Sequence, residues 1–151
     1  MLSRALKQAA CRLFFFVAGA SVACAGSIDV NPVRLTLSDS NKIATITLRN
    51  KSSNPMPMQL KILNWLQSEG SDVLTDTREI LANPPIFTIP AGGSQTIRLG
   101  LRRASDAQRE LTYRIILQEL PSPVKSDISG AQMLMRISMP VFVLPEVDAK
   151  A

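Results

Sequence analysis

With 151 residues, 46% of them hydrophobic and 19% charged, the chain has the composition of one globular domain, not of a disordered tail or a membrane bundle. It contains no histidine, and its two cysteines are Cys11 and Cys24, which excludes Ser-His-Asp and Cys-His triads and the usual zinc sites. The net charge of +5 is weighted to the start: Arg4, Lys7 and Arg12 are three of the 17 Lys+Arg, which leaves 14 against 12 Asp+Glu beyond residue 25 and no basis in bulk charge for binding nucleic acid.

In chain order, residues 1–12 are basic and carry no acid, residues 13–25 form an uncharged apolar run, and Ala23-Cys24-Ala25 fits the small-x-small rule for signal peptidase. That run has 13 residues, short of the roughly 20 needed to span a bilayer. Residues 1–25 are therefore read as a secretory signal peptide, and the exported chain as free of stable membrane insertion. Both cysteines leave with it, so the remainder forms no disulfide and relies on its core.

Beyond residue 25 the chain reads as strands and turns. Ile28–Leu37 (IDVNPVRLTL) places Val33, Leu35 and Leu37 on one face, and SDSNK turns into the β-branched run Ile43–Leu48. Met56–Leu66 sets Leu60, Ile62, Asn64 and Leu66 opposite Lys61, Leu63 and Trp65. A short mixed segment, Val73–Leu81, precedes the rigid corner Asn83-Pro84-Pro85, where one cis bond is expected. Ile86–Ile89, the turn PAGGS, Gln95–Leu101 and Leu111–Leu120 come next, with RRASDAQRE read as a loop. A polar loop over 121–131 leads to the final strand, Gln132–Leu144. Short strands with near-regular turn signals predict an all-β immunoglobulin-like sandwich of seven to eight strands in a single domain. The acids are scattered among turn residues and read as solvated loop charge, and Gly92-Gly93 reads as a turn, not a phosphate loop. No catalytic residue, metal site or cofactor is expected.

The last strand carries Met133, Met135, Ile137 and Met139 at period two. Two readings stand side by side. Either this face fills the protein's own core, or it is partly open and receives another chain, a use that suits the flexible, polarizable methionine side chain.

Taken together, NPVRLTL, TITLRNKSSNPMPMQLKILNW, NPPIFTIPAGGSQTIRLG, YRIILQELP and RISMPVFVLP resemble the N-terminal domain of periplasmic pilus chaperones of the chaperone–usher pathway, from about Val30 to Pro145. The ending RISMPVFV looks like the non-archetypal branch of that family. The resemblance implies a periplasmic protein that lends its last strand to pilus subunits and delivers them to an outer-membrane usher. It implies Met133, Met135, Ile137 and Met139 as the residues entering the subunit groove. It also implies that Arg34 binds the subunit's terminal carboxylate, although the lysine that completes the family's basic pair is replaced by Pro140. Arg98 and Glu119 match positions that bridge toward the family's second domain and are expected to pair with each other or face water. The expected organisation is 1–25 signal peptide and 26–151 chaperone domain, with the family's second domain absent. A structural or adhesive sandwich, or a non-functional truncated chaperone, is the alternative.

Overall fold

The computed structural model describes residues 28–121 and 133–146. The expected signal peptide and nearly all of the polar loop before the last strand lie outside the described residues.

Alternation of apolar and polar residues builds the first sheet. In β3 (Ile43–Asn50), Ile46 and Leu48 are buried while Thr45, Thr47 and Arg49 face out. β8 (Ser94–Leu101) repeats the pattern with Ile97, Leu99 and Leu101, and pairs antiparallel with β3 from Ile43↔Gly100 to Arg49↔Ser94. β1 (Ile28–Asn31) adds to β3 and β6 (Ile80–Asn83) to β8, giving the order β1-β3-β8-β6.

The second sheet is organised by β4 (Met56–Ser68). One edge of β4 pairs with β9 (Leu111–Glu119), and the other is shared by β7 (Ile86–Ile89) at its start and β5 (Ser71–Asp76) at its end. The β4–β5 hairpin closes through Glu69 and Gly70, both at positive φ (52° and 78°), as a two-residue turn matched to strand twist requires. β10 (Arg136–Val143) runs antiparallel to β9, and β2 (Leu35–Leu37) pairs parallel with its far end.

The fold is the expected all-β immunoglobulin-like sandwich, with ten strands among the described residues where seven or eight were anticipated. Two expected segments are each divided between the sheets. Ile28–Leu37 breaks at Pro32, after a cis Asn31–Pro32 bond, so that β1 pairs with β3 and β2 with β10. Proline offers no N–H to a ladder, and pairing stops there. Val33 consequently lies outside both strands and is exposed, contrary to its expected place beside Leu35 and Leu37. Val73–Leu81 divides likewise into β5 and β6. The Asn83–Pro84 bond is cis, as anticipated for that corner.

The core lies between the sheets. Leu48, Ile46, Ile97 and Leu99 from one side meet Met58, Ile115, Leu117 and Val141 from the other, all fully buried. Each such side chain contributes about 1.5–3 kcal/mol through burial. Among the described residues Asn50 is the buried polar exception. Its amide nitrogen donates to the carbonyls of Asn54, Ile89 and Pro90 at 2.8, 3.2 and 3.2 Å, and its oxygen accepts from the Ser52 backbone N–H and hydroxyl at 2.9 and 2.7 Å.

Candidate functional site

The inward face of β10 loses its cover step by step along the strand. Val143 and Val141 are fully buried and Met139 is 4% exposed. Ile137 is half-buried against the core, Met135 is half-buried just before the strand begins, and Met133 is 91% exposed. One apolar face thus serves two ends: it fills the domain's own core and then continues past it. Of the four expected groove residues, Met139 is packed into its own core, whereas Met133, Met135 and Ile137 keep exposed surface.

The same stretch has an open edge. β2 pairs with Val141–Val143 alone, so among the described residues no strand pairs with that side of Arg136–Pro140. Glu119 sets the orientation of this segment. Its backbone N–H donates to the Met135 carbonyl at 2.8 Å, and its carboxylate accepts the Met135 N–H at 3.1 Å. Backbone groups alternate along a strand. The N–H and C=O of Arg136 and Ser138 therefore face away from β9, toward the open edge. Pro140 stands at the end of that edge, where it costs β9 no hydrogen bond.

The outward face of this sheet holds two stacked arginines. Arg34, just before β2, places its guanidinium over the Phe142 ring at 4.4 Å. Arg114 on β9 sits over Trp65 of β4 at 3.8 Å. Pro140 is directly opposite Arg114, and the Leu35↔Val141 pairing extended by one residue puts Arg34 on its other side. The nearest acid to Arg114 is Asp72, at 4.0 Å. The sequence singles out Arg34 and leaves Arg114 unremarked. The available signal was the outward parity of Arg114 between Tyr113 and Ile115 on the strand next to Pro140.

Arg98 and Glu119 do not pair. Arg98 is exposed on β8 in the first sheet, while Glu119 in the second is occupied with Met135. Within this domain Glu119 ties down the start of β10.

A separate polar cluster closes one end of the core. Tyr113 is buried, and its hydroxyl donates to Glu79 at 2.6 Å, while Arg103 holds the other carboxylate oxygen at 2.6 Å. Burial, reinforced by the Glu79 carboxylate, pushes the Tyr113 phenol above its ordinary value of 10.0. An acid whose folded pKa is raised contributes fully below its unfolded pKa, and the contribution is lost as pH climbs beyond it. Tyr113→Phe is expected to cost about 1 kcal/mol at neutral pH. It should also flatten the fall of melting temperature above pH 10, as a thermal-shift series against pH would record.

The family model described as "Pili and flagellar-assembly chaperone, PapD N-terminal domain" matches residues 27–147. No curated protein matches the chain. Among solved structures it resembles a chain of the CsuC-CsuE chaperone–tip adhesion subunit pre-assembly complex from archaic chaperone-usher Csu pili of Acinetobacter baumannii. That likeness has 24% identity and a TM-score of 0.69, over 80% of this chain and 58% of that one. The Salmonella enterica SafA pilin–SafB chaperone complex matches at 15% identity and TM-score 0.63, over 80% and 55%. The E. coli chaperone DraB matches at 20% and 0.61, over 80% and 55%. The chain spans just over half the length of these structures' chains, and at such identities the likeness is one of fold.

Proposed function

The chain belongs to the family of pilus and flagellar-assembly chaperones, through the PapD N-terminal domain, and from that premise we propose that it holds pilus subunits in the periplasm by lending them β10 and the residues from Met133 that lead into it. Export is by the signal peptide at 1–25, and delivery is to an outer-membrane usher. One observation carries this reading: the apolar face leading into β10 outruns its own core along an edge that no strand pairs among the described residues. A subunit lacking a strand finds there backbone hydrogen bonds from Arg136 and Ser138 and apolar side chains at Met133, Met135 and Ile137. That is recognition by β-strand addition, in which the backbone gives affinity and alternate side chains give specificity. The exposed subunit edge, an aggregation hazard when bare, is covered in the complex. Arg34 binds the subunit's terminal carboxylate.

The test is periplasmic co-expression with a candidate pilus subunit. The subunit should co-purify with the chain and be degraded or aggregate without it. Arg34→Ala and Arg34→Lys should both leave a folded chaperone and capture about tenfold less subunit, because lysine cannot reproduce the two parallel hydrogen bonds of a guanidinium on a carboxylate. Equal subunit yield with and without the chain sinks the chaperone reading. Normal capture by Arg34→Ala removes the carboxylate site alone. Sequencing of the exported protein should begin at Gly26.

A further inference from the structure

We propose that Met133 and Met135 are reversible oxidation sites, and that hydrogen peroxide, by converting them to sulfoxides, switches subunit capture off. This rests on the chaperone reading and adds to it a modification of the donated face itself.

Sulfur occurs in the chain as six methionines and two cysteines. Met1, Cys11 and Cys24 lie within residues 1–25, so a chain cleaved after that stretch keeps five methionines and no thiol. Methionine is then its oxidant-sensitive sulfur. The fold sorts the five into two groups. Met58 is 0% exposed and Met56 and Met139 are 4% exposed, and all three belong to the core. Met133 is 91% exposed, and Met135 is half-buried. Sulfur oxidation follows access. Peroxide therefore meets Met133 first and Met135 second, and reaches the three core thioethers only when the domain opens. Both accessible sulfurs lie in the one stretch where the inward face of β10 continues beyond the core.

In the forward step a lone pair on Sδ takes one oxygen from hydrogen peroxide. The O–O bond breaks, an S–O bond forms, and the second oxygen leaves as water. Sulfur loses two electrons and the peroxide gains them. The return step uses two thiols of a methionine sulfoxide reductase, which become a disulfide while the sulfoxide oxygen leaves as water. A thioether is flexible and polarizable and packs well in an apolar groove. A sulfoxide is polar, and its oxygen finds no donor there. Met133 and Met135 share one face two residues apart, so both sulfoxides meet the same groove. Met135 is tied to Glu119 through its backbone groups, so oxidation of the side chain leaves the start of β10 in place. A bound subunit covers both sulfurs. The modification thus acts on the empty chaperone and spares the loaded one. Leucine would fill the same pockets at nearly the same volume, but it could not be switched.

The experiment treats chain purified from the periplasm with hydrogen peroxide and follows each methionine by peptide mass spectrometry. Melting temperature is recorded alongside, together with capture of the co-expressed subunit as it is diluted from denaturant. Met133 and Met135 should gain oxygen while Met56, Met58 and Met139 stay reduced. Capture should fall about tenfold or more, with the melting temperature nearly unchanged. Methionine sulfoxide reductases for both epimers, with dithiothreitol, should restore it. The double variant Met133→Leu, Met135→Leu should capture as wild type does and keep that capture under peroxide. Full capture by oxidised wild type overturns the inference and leaves the chaperone reading standing. Peroxide sensitivity of the double leucine variant does the same, because the damage then lies elsewhere. Core methionines that oxidise as fast as Met133 would make the loss one of folding, and the inference fails. If a bound subunit does not shield Met133 and Met135, neither residue lies in the groove and the inference falls with that placement. A reduced wild type that captures no subunit overturns both readings.

Discussion

Met135→Asp is expected to abolish subunit capture while leaving the domain folded. Met135 is half-buried, sits just outside β10, and shares its face with the exposed Met133. An aspartate there has to enter an apolar groove in the subunit without a partner, at a cost of several kcal/mol. About 4 kcal/mol is nearly a thousandfold in affinity. The backbone ties to Glu119 survive the substitution, although a second carboxylate beside Glu119 adds some repulsion. The melting temperature should therefore change by only a few degrees. Met139→Asp provides the contrast, because Met139 is 4% exposed and belongs to the core; that variant should fail to accumulate. A pull-down against a co-expressed subunit, with a melting curve for each variant, separates these outcomes. Normal capture by Met135→Asp would show that the methionine face is not the donated surface.

Asn50→Ala should be the most damaging single polar change, at about 3 kcal/mol and roughly 10 °C or more in melting temperature. Asn50 is fully buried, and its side chain ties the start of the 51–55 turn to the Ile89 and Pro90 carbonyls and to Ser52. Truncation takes the amide away from those carbonyls, although Pro90 keeps the Gly93 N–H at 3.0 Å, in a place where a methyl group cannot replace the amide. Urea unfolding is the suitable measurement, with the midpoint expected to fall at unchanged slope. A loss below about 1 kcal/mol would mean that water enters and takes over the amide's partners.

The period-two pattern of the last strand was legible because both faces are informative: Met139, Val141 and Val143 turn inward while Arg136 and Ser138 turn out. The pattern could not say where cover ends, since Met133 and Met139 are the same residue on the same face. Only the position of the opposite sheet separates a core methionine from an exposed one. The break at Pro32 was hidden for a related reason, because apolar alternation continues from Val33 through Leu37 while the chain changes sheets. Arg34 was reachable through the family resemblance. Arg114 was not, because its meaning comes from Trp65, 49 positions earlier, and from Pro140 on the next strand. The tie from Glu119 to Met135 was not legible because its partner is a backbone N–H, which leaves no mark in the pattern of side chains.

The double tie between Glu119 and Met135 also bears on how this gene can tolerate change. A strand's facing flips with every single-residue slip, so an insertion or deletion upstream of a functional strand normally turns its side chains to the wrong side. Here the register of Met135 is set locally, by the carboxylate and the backbone of Glu119. Residues between 121 and 132 can therefore be gained or lost in odd as well as even numbers without rotating the methionines beyond them. Length polymorphism in that stretch should accumulate freely among natural variants, whereas a one-residue deletion between Arg136 and Met139 should not survive.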